Sequence, residues 1–196
     1  MWIVKEQLNL AGWASMTSAL FTVPHIWMSM YFETMEGPGA RLSEAAMIAV
    51  ALGLSVYVLL SFKRLLNARF QFHAVDTYIL LVISGNGVLS GLALFSVGSM
   101  GPESLVAALS MLTFIPFGIF AIMFATRLLR IPGNLYGLLK PFSYTLIMCG
   151  ACFVTIMLSP VGYILSVVSD VILGIIFFRA ADQPPPDAEI SGMPIE

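Results

Sequence analysis

Six apolar runs, each close to 20 residues, set the terms for any fold of this chain: Leu10–Phe32, Ser43–Phe62, Thr77–Gly98, Ser104–Thr126, Phe142–Ser159 and Val161–Phe178. A helix needs roughly 20 apolar residues to cross a ~30 Å hydrocarbon core. Six such runs consume most of 196 residues, so the expected fold is all-α, a six-helix transmembrane bundle over residues 1–180 with no separate soluble module. Hydrophobic residues make up 59% of the chain and charged ones 10%, a balance that no water-soluble globule of this length can bury.

Basic residues orient the threading. With the N-terminus in the cytoplasm, Lys5, Lys63, Arg64, Arg69, Arg127, Arg130, Lys140 and Arg179 lie inside and only Arg41 lies outside. Basic residues in short loops resist translocation. The expected location is therefore a cell membrane, crossed several times, with both termini cytoplasmic. The first run is too long for a signal-peptide core and ends at no small-residue cleavage site, so it reads as a retained helix. The tail Ala181–Glu196 (ADQPPPDAEISGMPIE) is acidic and proline-rich, with little to bury, and reads as disordered.

Two inner links, Lys63–Asp76 and Arg127–Pro141, are basic and aromatic, as suits segments at anionic lipid headgroups. Partners expected of such a surface are the bilayer itself, a second copy or another membrane protein, and not nucleic acid. An echo of Arg64-Leu65-Leu66 at Arg127-Leu128-Leu129 is too short to set a repeat apart from a common helix end.

Polar residues inside the runs carry what functional signal there is. Ser15, Ser18, Thr22, His25 and Ser29 recur every three or four residues, one face of the first helix, and must turn toward protein or water. In the sixth run Tyr163, Ser166, Asp170 and Gly174 form a similar stripe. Asp170 lies nine residues before Arg179, roughly 13 Å from the inner edge and near mid-bilayer. A charge there costs several kcal/mol unless neutralised, paired or hydrated. Asn86 falls at about the same depth, at about 15 Å, and Cys149 at about 13 Å; His25 and Tyr163 share a higher layer. Around Asn86, Ser84-Gly85-Asn86-Gly87 is poor helix material, so the span either unwinds to offer backbone groups or uses its glycines, continued by Gly91, for close packing.

Other chemistries find little support. Cys149 and Cys152 form a CGAC pair with no second pair for exchange, and read as small packing residues. His25 and His73 lie toward opposite ends and cannot share a haem iron, and neither a zinc motif nor a phosphate loop is present. No cofactor or metal is expected, and an enzyme is not favoured. Phe114, Phe117, Phe120 and Phe124 read as packing or lipid-facing aromatics. The function expected is a small transporter or permeation protein whose substrate or proton pathway runs through Asp170, Asn86, Ser84, Ser166, His25 and Tyr163. The alternative is a non-catalytic membrane subunit or sensor that acts by packing against a partner.

Overall fold

The computed structural model describes residues 5–33, 38–98, 103–131 and 135–183, and all its regular elements are helical. They are α1 (Lys5–Glu33), α2 (Pro38–Phe70), α3 (Asp76–Gly98), α4 (Glu103–Leu128), α5 (Leu139–Val154) and α6 (Ser159–Asp182), with one 3-10 turn at Leu135–Gly137 before α5. Three stretches, Gly39–Phe70, Asp76–Leu94 and Ser159–Asp182, are long and apolar enough to cross a membrane; Leu112–Leu128 and Leu139–Val154 are shorter apolar helices.

The helices follow the apolar runs, with instructive departures at their ends. α2 continues to Phe70, well past the end of its apolar run at Phe62. Leu65 and Leu66 in this extension are fully buried. It is further tied to the start of α3, where Asp76 Oδ2 accepts from Asn67 Nδ2 at 3.1 Å and lies 3.6 Å from Lys63 Nζ. Part of the expected inner link is thus a helical stem. α5 stops at Val154 rather than Ser159, because the β-branched run Val154-Thr155-Ile156 is a poor helix former and Ile156 takes a positive φ of 54°. That turn feeds α6, which starts with Pro160 in its first turn, where a missing N–H costs nothing. α6 in turn runs to Asp182, so Ala181 and Asp182 are helical, Ala181 is buried, and only the remainder of the expected tail, 184–196, lies outside the described residues.

α3 is helical throughout, including Ser84-Gly85-Asn86-Gly87. Of Gly85, Gly87 and Gly91 only the first meets a neighbour, Phe117; a side chain at Gly87 or Gly91 would find open space, so the small face does not continue to Gly91. Close crossings occur elsewhere. At Gly118 of α4 and Gly150 of α5 each helix's backbone carbonyl occupies the place of the other's side chain, and at Gly12 of α1 and Gly174 of α6 the spaces are filled by Phe178 and Met16. Small residues at a crossing let helix backbones approach and gain dispersion contact, the form of association open to helices in lipid.

Each helix packs on its neighbours in the chain, and α1 packs on α6, so the six form a closed ring. One end of the ring is solid. Phe62, fully buried on α2, meets Phe124, Phe142 and Phe177 edge to face at centroid distances of 6.4, 5.6 and 6.3 Å. Leu8, Leu65, Leu66, Ile79, Leu128, Leu135 and Ile176 pack around this aromatic knot. This is also the basic end, with Arg127 over the Tyr78 ring and Arg179 donating to the Tyr136 carbonyl. The outward faces carry Leu10, Trp13, Leu20, Leu42, Val88, Leu112, Met148 and Ile164, all exposed.

Candidate functional site

Above the aromatic floor the centre of the ring is not filled, leaving a cavity of about 360 Å³. Its walls come from all six helices, over residues 18–22 of α1, 48–59 of α2, 82–93 of α3, 114–124 of α4, 142–153 of α5 and 163–173 of α6, so it extends from the Phe124 and Phe142 floor away from the basic end. Most of the lining is apolar. The polar exceptions are concentrated and come from five helices: Ser18 and Thr22, Ser55, Asn86 and Ser90, Cys149, and Tyr163, Ser166, Ser169 and Asp170.

Two pairings organise this polar group. Ser18 Oγ donates to Asp170 Oδ2 at 2.8 Å, and one turn earlier Ser15 Oγ donates to the Asp170 backbone carbonyl at 2.7 Å. The hydroxyl stripe of α1 therefore faces α6, and the three-residue spacing delivers one hydroxyl to the main chain and the next to the carboxylate of the same residue. Across the cavity, Asn86 Nδ2 donates to Ser55 Oγ at 3.2 Å. With this partner on α2, Asn86 is served from within a regular helix and nothing requires α3 to unwind. Ser166 Oγ turns back to the Tyr163 carbonyl at 2.7 Å, and Thr22 Oγ1 to that of Ser18 at 2.9 Å. Ser169 is 4% exposed and its Oγ has no partner.

The end of the cavity farther from the floor is aromatic. Phe153 stacks on Phe114 with centroids 5.6 Å apart and takes the Tyr163 and Phe117 rings edge to face at 5.4 and 5.7 Å. Cys149, beside them, is buried and its thiol donates to the Gly162 carbonyl at 3.3 Å, while Cys152 is a separate free thiol. Cys149 and Cys152 both lie against Gly162 of α6, and Phe114, Phe117 and Phe124 are packing aromatics that also wall the cavity.

Four of the six expected pathway residues, Asp170, Asn86, Ser166 and Tyr163, border this one space. Ser84 does not. It is exposed, two residues from Asn86 and so about 200° around the helix, on the opposite face. The helix position of His25 is on α1, but its side chain lies outside the described residues. Ser55, Ser90 and Ser169 were not singled out by sequence reasoning. Ser90 was open to discovery, since it repeats the Asn86 face at i+4; Ser55 stands alone in an apolar run and carries no pattern. Among the described residues no group of three metal-ligating side chains converges.

Comparison of the chain with protein-family models, characterised proteins and solved structures finds no match.

Proposed function

We propose that this chain is an integral membrane protein of six spans, with both termini cytoplasmic, that takes a small solute into its central cavity and passes it across the bilayer. The observation that carries this reading is the convergence of polar side chains from α1, α2, α3, α5 and α6 on a single cavity inside an otherwise apolar ring. A polar group within and large apolar side chains exposed on the outer faces depart from the soluble pattern, and lipid is the solvent that rewards them. The cavity volume lies at the lower end of the roughly 300–1,000 Å³ typical of small-molecule sites. The eight-to-one division of basic residues supports the orientation, and places the aromatic floor on the cytoplasmic side. Passage in this reading requires Phe62 and its neighbours to move.

Reconstituted vesicles test the reading. Wild-type protein should release small entrapped solutes, drawn from a panel of amines, amino acids and polyols, faster than protein-free vesicles. Ser55→Trp, which fills the cavity, should stop this release, and Asp170→Asn should reduce it while the protein still inserts and folds. Release no faster than from protein-free vesicles across the panel, or release untouched by Ser55→Trp, would remove the permeation reading and leave a membrane subunit that acts by packing against a partner.

A further inference from the structure

The charges around the cavity select among solutes. Among the described residues its lining holds one acid, Asp170, and no lysine, arginine or histidine. Among the described residues the Asp170 carboxylate has a single hydrogen bond, from Ser18, and no ion pair. A carboxylate without a counter-ion attracts a cation and repels an anion. A small metal ion is poorly served, because hard cations take about six or more oxygen ligands and one carboxylate with scattered hydroxyls falls short. The rest of the lining asks for an apolar body: Leu52, Leu89, Phe114, Phe117 and Phe153 leave a hydrated ion nothing to bond.

Tyr163, Ser166 and Asp170 share one face of α6, and Tyr163 stands two turns, about 10 Å, from Asp170. Ring faces of tyrosine and phenylalanine attract organic cations, with most effect where water is excluded. Ser169, buried beside Asp170 and without a partner, leaves one more hydroxyl for a ligand at the acidic end.

We propose that the solute is a small organic monocation, an amine or quaternary ammonium with an apolar or aromatic body. Its charged head lies at the Asp170 carboxylate and its body along the wall formed by Tyr163, Phe153 and Phe114. This substrate class rests on the cavity being the solute site, as in the permeation reading.

Three water-soluble probes of similar shape separate charge from fit: benzyltrimethylammonium, phenylmethanesulfonamide and phenylmethanesulfonate, which are cationic, neutral and anionic. Binding is measured on the full chain in nanodiscs of zwitterionic lipid. The ammonium should bind saturably, the sulfonamide at least about tenfold more weakly, and the sulfonate not measurably. Asp170→Asn should lower ammonium affinity to the level of the sulfonamide, and Asp170→Glu, which keeps the charge, should retain most of it. Thermal unfolding of both variants distinguishes loss of binding from loss of fold. Equal binding of ammonium and sulfonamide, full ammonium affinity in Asp170→Asn, or no ammonium binding to the wild type would each overturn the cation assignment. If that happens while Ser55→Trp still stops solute release from vesicles, the permeation reading stands and only the substrate class is wrong. If release is also absent, both fall.

Discussion

The crossing of α4 and α5 makes a quantitative demand that one methyl group can test. A Cβ at Gly118 would stand 2.5 Å from the Gly150 carbonyl oxygen, 2.8 Å from Val154 Cγ2 and 3.0 Å from Val154 N. A carbon resting on a carbonyl oxygen sits at about 3.3 Å or beyond, so Gly118→Ala must part the helices by roughly 0.8 Å. Two of the three obstructing atoms are backbone, which cannot swing aside. Overpacking of this kind costs about 1–3 kcal/mol, while replacing a helical glycine by alanine returns about 1 kcal/mol of propensity. The expected net loss is about 0–2 kcal/mol, up to about 8 °C in Tm for a chain of this length, and about 1–3 kcal/mol relative to a glycine-to-alanine change that meets nothing. Gly87→Ala is the matched control: it also lies within a helix but meets nothing within 4 Å, so only the propensity gain remains and it should be neutral or stabilising. Both can be followed in a Cys152→Ala background by reaction of the buried Cys149 with a thiol-reactive dye during heating. A Gly118→Ala protein as stable as Gly87→Ala would show that the two helices do not cross at Gly118 and Gly150.

Other consequences are equally accessible. Phe62→Ala removes the centre of the aromatic floor and should cost about 3–5 kcal/mol; where the protein still folds it should release entrapped solute faster than wild type, and a tight, unchanged barrier would mean that Phe62 does not close the cytoplasmic side. A double change of Cys149 and Cys152 to alanine should cost at most a few kcal/mol and leave solute release intact, since neither thiol is disulfide-bonded; complete loss of release with an intact fold would bring dithiol chemistry forward. Single cysteines at Gly39 should react with impermeant reagents added outside, and those at Asn67, Asn134 or in the tail only after permeabilisation; position 134 and residues 184–196 of the tail lie outside the described residues, and labelling of position 134 from outside would reverse the orientation.

Helix placement was legible because apolar runs of about 20 residues have few other uses, and the ends were less so because they depend on tertiary partners. Nothing local to Lys63–Phe70 says whether it is loop or helix; Asp76 and the burial of Leu65 and Leu66 decide it. The hydroxyl stripe of α1 and the acid of α6 were visible, but not that Ser18 meets Asp170, since the pair is separated by 152 positions and rests on which helices are neighbours. Depth counting placed Asn86 level with Asp170 and gave no rotation about the α3 axis. Hence Ser84 was grouped with a residue that faces the other way. Ser55 was invisible for the opposite reason: it is a single hydroxyl whose role is supplied wholly by Asn86.

The ring closes between the first helix and the last, and Lys5 and Asp182 approach to 3.5 Å where it does so. During synthesis the serine face of α1 therefore stays without its α6 partner until about 150 further residues have emerged, since Ser15 and Ser18 are served by Asp170. An assembly intermediate of five helices has no cavity, only an open curved sheet of helices with a polar edge. Until α6 arrives, such an edge has to find its hydrogen bonds with other partners. The adjacency of Lys5 and Asp182 offers a way around this order. A short link across that gap, with new ends opened between α3 and α4, would make α1 and α6 consecutive, so that the Ser18 and Asp170 pair forms early rather than last.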